Sequence, residues 1–284
     1  MPYALLPDRA VLTVTGETAE PFLQTLITAD LDKLGDGEMR PAALLTPQGK
    51  ILFDFLIGRI GGGFRIDCAA STAGDLKKRL TLYRLRAKVA IEAEETAVHA
   101  AWGDGAATLA GALVDRRFPG GDVVRIYGAA PEGIAEAGAG DFARLRLRAG
   151  IAEAETDFPG SDVFPHDVLL DQNGGVSFKK GCFVGQEVVS RMQHRGTARR
   201  RLMLVSGERH LTPGSDVMAG ERAIGTLLSA TGTDGIALLR IDKLADAIAA
   251  DATLSADGVP VEATIPAWAS FTLPAAEAGA EPEA

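Results

Sequence analysis

The pattern of this chain changes character behind Arg201. Up to that point strand-like alternation and helix-like periodicity are mixed, without the strict strand-helix alternation of a parallel doubly wound sheet. Beyond it come short strand-like runs, Leu202 to Ser206, Ala223 to Ser229 and Gly235 to Arg240, separated by Gly, Pro and Asp turns. The first arrangement predicts an α+β core and the second a small C-terminal β-barrel. A length of 284 residues agrees with about two domains. The expected boundaries are a core over 1–195 made of two interleaved subdomains, a barrel over 196–273, and a disordered tail over 274–284. That tail is almost wholly Ala, Glu, Pro and Gly, which cannot bury a core.

Within the core, Ala10 to Thr15 reads as a strand. A helix follows through Phe22, Leu23, Leu26 and Ile27, with Pro21 tolerated in its first turn. Ala42 to Leu45 and Ile51 to Ile57 flank Thr46-Pro47-Gln48-Gly49-Lys50 and predict a β-hairpin. Gly61-Gly62-Gly63 lacks the spacing of a phosphate-binding loop and predicts a plain hairpin turn before a strand at Phe64 to Cys68. Ser71 is placed to cap a helix with Leu76, Leu80 and Tyr83 on one face, and Val89 to Glu92 resumes strand character. Ala129 to Gly140 predicts a weak surface helix leading into Phe142 to Ala149.

Charge and cysteine usage narrow the function classes. A formal net charge of −9 repels phosphate backbones, so direct nucleic-acid binding is not expected outside a local basic patch. Cys68 and Cys182 stand far apart with no C-x-x-C pattern, which argues against a disulfide framework and a structural zinc site. The four histidines show no metal spacing, and no metal site is expected; His166 reads as a loop-packing residue. Reduced thiols, an N-terminus without the basic and apolar regions of a signal peptide, and the absence of an apolar run of ~18 residues predict a cytoplasmic protein with no membrane contact.

The most informative stretch is Lys179-Lys180-Gly181-Cys182-Phe183-Val184-Gly185-Gln186-Glu187, running on to Arg191. It sets one thiol between cations and a helix start, and both favour the reactive thiolate. Gly181 and Gly185 remove bulk on either side of Cys182 and permit tight turning and close approach. Gln186 and Glu187 lie close enough to orient a ligand or partner, although Glu187 also suits a first helical turn and Arg191 suits an i,i+4 pair with it. Arg195, Arg199, Arg200 and Arg201 form a basic cluster directly behind, able to receive a carboxylate or phosphate, or simply to line a solvated strand edge.

This stretch resembles the K-G-C-[FY]-x-G-Q-E signature of the YgfZ family, folate-binding relatives of the glycine-cleavage aminomethyltransferase that include the mitochondrial iron-sulfur assembly factor. The resemblance extends over Val14-Thr15-Gly16, Phe22-Leu23-Gln24, Thr28-Ala29-Asp30, Leu44 to Lys50, Tyr83 to Val89, Arg148 to Ile151, Phe164-Pro165-His166 and Gly175 to Phe178, about residues 8 to 201 in all. It implies an aminomethyltransferase-like folate-binding fold, tetrahydrofolate or a derivative as cofactor, and iron-sulfur assembly proteins or client enzymes as partners. Cys182 is then the functional thiol, with Lys180, Gly181, Phe183, Gly185, Gln186, Glu187 and Arg191 shaping its site. Arg195 and Arg199 are candidates for the folate tail. A permanently held cluster usually needs about four cysteine ligands, which two cannot supply.

The expected function is a tetrahydrofolate-binding accessory factor for iron-sulfur cluster assembly or repair, with indirect effects on tRNA modification and no conventional turnover. Two alternatives stay open. One is a folate-dependent aminomethyl transferase, against which the departures from the transferase pattern count: Arg148 replaces a folate-contacting glutamate, and Phe53 with Asp54 leaves one carboxylate where the transferases have two. The other is an RNA-binding factor for tRNA modification using Arg195 to Arg201, against which the net acidity counts.

Overall fold

The computed structural model describes residues 1–196 and 198–276. Ten strands form one sheet: β1 (Pro2–Leu5), β2 (Arg9–Thr15), β3 (Glu38–Leu45), β4 (Ile51–Ile60), β5 (Gly63–Ala69), β6 (Ala90–Glu94), β7 (Val98–Trp102), β8 (Leu113–Asp115), β9 (Val123–Tyr127) and β10 (Ala135–Glu136). Their spatial order is β10-β1-β7-β9-β8-β3-β4-β5-β2-β6. β3 is the joint, because it pairs antiparallel with β4 through Leu44 and Phe53 and parallel with β8 through Glu38 and Val114. Helices α1 (Ala19–Gln24), α2 (Ala73–Arg84) and α3 (Ala139–Arg148) accompany this sheet. Leu23 and Ile27 seal one side of it against Val14, Phe64 and Ile66.

The C-terminal strands β11 (Arg200–Gly207), β12 (Asp216–Ala219), β13 (Arg222–Thr231), β14 (Asp234–Arg240), β15 (Leu254–Ala256) and β16 (Val259–Thr264) close into a barrel in the order β11-β14-β13-β12-β15-β16. Closure leaves no strand edge to pair with another chain. Period-two alternation along β14 explains how the barrel docks. Ala237 and Leu239 join the barrel interior, while Ile236 packs on Leu147 and Leu169, and Leu238 on the cluster that holds Phe158 and Phe183. Between α3 and α4 (Gln186–Arg195), residues 151–185 form no helix or strand. They are held instead by burying Phe158, Val163, Val168, Leu170, Val176 and Phe183 together.

The α+β core and C-terminal barrel agree with the expectation, and so does the hairpin, whose strands meet at Leu45 and Ile51. Four local expectations differ. The first helix ends at Gln24, short of Leu26 and Ile27, and Ile27 instead bridges to Leu44. The helix start belongs to Thr72, behind a short 3-10 turn at Ala70–Thr72, and not to Ser71; no side chain caps it. Residues 129–138 are not helical, because Pro131 and Gly133 break the run and Ala135–Glu136 pairs instead with Pro2–Tyr3. Helix α5 (Ile241–Ala249) is an addition to the all-strand pattern expected there. Of the expected tail, residues 274–276 have no regular structure and 277–284 lie outside the described residues.

Candidate functional site

Three stretches distant in sequence meet around Cys182. Thr28 donates its N–H to the Ala43 carbonyl and accepts the Ala43 N–H on its hydroxyl oxygen; that hydroxyl gives its proton to the Gly175 carbonyl at 2.6 Å, while the Thr28 carbonyl accepts the Ser177 N–H at 2.9 Å. Lys180 then reaches back to the same turn, its Nζ donating to the carbonyls of Ile27 and Ala29 at 2.8 and 2.7 Å. Burial pushes this ammonium down to about 8, with Asp30 and Asp32 opposing the shift. Lys180 is therefore a clamp on the loop, its charge committed to two carbonyls and stacked 5.4 Å from the Phe183 ring.

Beyond the clamp, Phe183 is buried and anchors the loop, so that Cys182 beside it stays exposed. The other thiol, Cys68, is buried and pushed up to about 12 by that burial. One accessible thiol remains. Gly185 enters α4 at φ 77°, and a methyl group there would lie 2.5 Å from the Thr46 carbonyl oxygen. Gln186 folds back to accept the Phe183 N–H at 3.2 Å. Glu187 is solvent-facing in the first turn and meets Arg191 at 3.6 Å, an exposed pair worth about 0.5 kcal/mol or less.

A second feature lies inside. Arg9, Arg117, Arg125 and Arg146 interlock with Asp67, Asp115, Glu153 and Asp157 in one buried network of four cations and four anions. Beside it runs a cavity walled by Arg9, Phe55, Arg117, Phe158, Val168 and Leu170, into which Asp54 projects. Asp54 keeps some surface open to that cavity, yet its Oδ1 is sealed and has no hydrogen-bond partner. It is the fifth carboxylate beside four guanidiniums. Burial pushes it up to about 6, more than the nearby Arg9 and Arg117 charges can offset.

A stability effect follows from that shift. Because the folded value lies above the ordinary 3.8, the folded state binds the extra proton, and stability falls as pH rises from about 4 to about 6. Asp54→Asn is expected to stabilise the protein by about 1–3 kcal/mol at pH 7.5. The gain should vanish below about pH 4, as read by urea unfolding at a series of pH values. A destabilised Asn variant at pH 7.5 would show that Asp54 is a paired anion.

The remaining predicted residues do not converge on this cavity. Arg200 pairs with Asp167 at 2.7 Å and Arg201 with Asp171 at 2.8 Å, which fastens the first barrel strand to the 164–171 loop. Arg195 and Arg199 are exposed, and neither lines the Asp54 cavity. Arg148 is 63% exposed and pairs with Asp234 of the barrel. His166 is buried against Phe178, with its Nε2 at 3.1 Å from Gln193 Oε1. Residue-by-residue reading missed the arginine network, because guanidiniums and carboxylates scattered from Arg9 to Asp157 look like surface residues until the sheet brings them together.

Comparison with known proteins places these features. Residues 199–271 match the family model described as the CAF17 C-terminal beta-barrel domain. The iron-sulfur cluster assembly factor IBA57, mitochondrial, of Homo sapiens is 31% identical over 93% of this chain and 84% of its own length. The IBA57 homolog, mitochondrial, of Pyricularia oryzae is 28% identical over 86% of this chain and 73% of its own. Among solved structures, the glycine cleavage system aminomethyltransferase T of Bartonella henselae superposes with a TM-score of 0.73, covering 94% of this chain and 86% of that one at 16% identity, a likeness of fold.

The names of these relatives overturn the cytoplasmic location expected from the sequence, since each is a mitochondrial protein by name. The reason is physical: unpaired thiols mark a reducing compartment without saying which one. On an aminomethyltransferase fold closed by a CAF17-type barrel, and with that identity over nearly its whole length, the chain belongs to the family of the IBA57 iron-sulfur cluster assembly factors.

Proposed function

We propose that the chain supports assembly or repair of iron-sulfur clusters by offering Cys182 as a single, transient ligand to cluster iron. The observation that carries this reading is the placement of Cys182: exposed, yet on a loop fixed by the Lys180 clamp, the Phe183 anchor and the Gly185 contact. A lone accessible thiolate cannot retain a cluster, but it can complete a coordination sphere whose other ligands come from a partner. On ligation Sγ gives its proton to solvent and takes a position on the metal. The cluster is cargo and leaves with the partner or client enzyme. Exposed Arg148 and the single carboxylate Asp54 count against aminomethyl transfer. The use of Arg200 and Arg201 in ion pairs counts against an RNA surface over 195–201.

Tetrahydrofolate fits the Asp54 cavity in kind and not in room. The unpartnered Oδ1 of Asp54 and the walls of Phe55, Phe158, Val168 and Leu170 are what a flat pterin with ring donors requires. The free volume is about 20 Å³, space for roughly one water molecule. A folate would enter only after these walls part, and no step of the proposed function passes through it.

The test replaces Cys182 by Ala. Cells carrying only that variant should lose most of the activity of their cluster-dependent enzymes, while the purified variant keeps its stability within about 0.5 kcal/mol and whatever tetrahydrofolate affinity the parent shows. Unchanged cluster enzymes would refute the reading. A lost folate affinity alone would move the thiol into ligand binding.

A further inference from the structure

Helix α2 buries only Leu76 and Leu80, and its outer face is out of keeping with the rest of the chain. Between Lys77 and Lys88 stand six cations and no carboxylate, in a protein whose net charge is −9. Lys88 meets Glu17 at 2.9 Å. The side chains of Lys77, Lys78, Arg79, Arg84 and Arg86 have no ion pair or hydrogen bond among the described residues. Of the five large apolar side chains that the described residues leave exposed, two lie on this same face: Leu82 at 64% and Leu85 at 89%. Leu85 also ends the helix at φ 43°, a backbone region that a leucine enters only at a cost. At 89% exposed, Leu85 buries little apolar surface against the rest of the chain.

Leu82, Lys78 and Arg79 form one wall of a groove of about 430 Å³, with Leu52 and Phe53 of β4 also lining it. The two carboxylates at its border do not cancel the cations. Glu155 accepts the Gly160 N–H at 3.1 Å, and Asp75 sits in the first turn of α2, where the helix dipole answers it. An apolar groove rimmed by unanswered positive charge fits one kind of occupant best, an amphipathic helix with leucine-like anchors on one face and carboxylates beside them. A bare polyanion would leave Leu82 and Leu85 unused, and a bilayer is too flat to reach Leu52 and Phe53 in the groove.

We propose that this face is a docking surface for an acidic, amphipathic segment of a partner protein. The proposal does not rest on the role assigned to Cys182. β4 begins at Ile51, just behind the hairpin loop that packs on Gly185, and Phe53 lies about 7 Å along the strand from that start.

The probe is a fluorescein-labelled peptide of about 15 residues with Leu at i, i+3, i+4 and i+7 and Glu between them, titrated with the intact protein and read by anisotropy. Saturable binding should weaken at least about tenfold in Arg79→Glu/Arg86→Glu and in Leu82→Ser/Leu85→Ser, and fall with added salt. All four positions are exposed, so the Tm of each variant should stay within about 2 °C of the parent and a folding failure would be seen directly. Three results would overturn the proposal: no saturable binding, equal binding to either variant, or a Leu-free Glu peptide, poly(U) RNA or phosphatidylserine vesicles binding as tightly as the amphipathic peptide.

Discussion

Replacing Glu153 by Gln is expected to cost the fold about 3–5 kcal/mol, the range found when one partner of a buried ion pair is removed. Glu153 is the carboxylate on which three guanidiniums converge: Arg117 at 2.5 Å, Arg146 at 3.6 Å and Arg125 at 3.8 Å. Arg125 is the most vulnerable of these, because its Nη1 and Nη2 have no hydrogen-bond partner. It relies on charges at 3.8–3.9 Å, an Nε contact to Asp115 at 3.3 Å and the Phe142 ring at 5.1 Å. A neutral amide would take a carboxylate away from Arg125, whose side chain is fully buried.

Burial alone would raise the Glu153 carboxyl, yet Arg117, Arg146, Arg9 and Arg125 together hold it well below its ordinary 4.5. A lowered folded value means that its contribution is complete above about pH 4.5 and is lost as pH falls toward the folded value. Urea unfolding should therefore show the parent losing stability below about pH 4.5, whereas the Gln variant, already weaker at pH 7, loses less over the same range. A loss under about 1 kcal/mol at pH 7 would mean that the network tolerates an unbalanced charge, against the expectation for buried pairs.

That network also marks the limit of what could be read without coordinates. The barrel was legible because β11, β13 and β14 are short apolar runs bounded by Gly, Pro and Asp turns, and the 46–50 hairpin because its loop carries turn chemistry between two apolar runs. By contrast β7, Val-His-Ala-Ala-Trp, has four consecutive buried residues, so it shows no period of two, and two small alanines carry little strand preference. The missing half of the sheet is the half that gathers Arg117, Arg125 and Asp115, and without it these groups had no reason to be placed inside. The contacts of Lys180 were not legible. Its partners are the carbonyls of Ile27 and Ala29, about 150 residues upstream, and backbone carbonyls have no signature in the sequence.

The two glycines around Cys182 look alike in the sequence and should behave differently. Gly185→Ala is expected to cost about 2–4 kcal/mol, since it adds positive-φ strain to an overpacked contact. Its Cβ would stand 2.5 Å from the Thr46 oxygen, 3.0 Å from the Leu45 Cβ and 3.1 Å from the Gly49 Cα. Two of those three atoms are backbone, which cannot swing aside as a flexible side chain can. Gly49 faces it at φ 83°, and a methyl added there would lie 3.3 Å from the Gly185 carbonyl oxygen, so the hairpin loop and the start of α4 touch almost main chain to main chain. The alanine must push them apart, and the loop that presents Cys182 moves with them. Cluster-dependent enzymes in cells carrying Gly185→Ala should then fall nearly as far as in Cys182→Ala, although the thiol itself is intact. Gly181→Ala is the matched control: nothing lies within 4 Å of its added methyl and its φ is not in the left-handed region, so unfolding and cluster-enzyme activity should stay within about 0.5 kcal/mol and about twofold of the parent. Equal losses at the two positions would mean that loss of glycine flexibility, and not the contact with the hairpin, is what the site cannot tolerate.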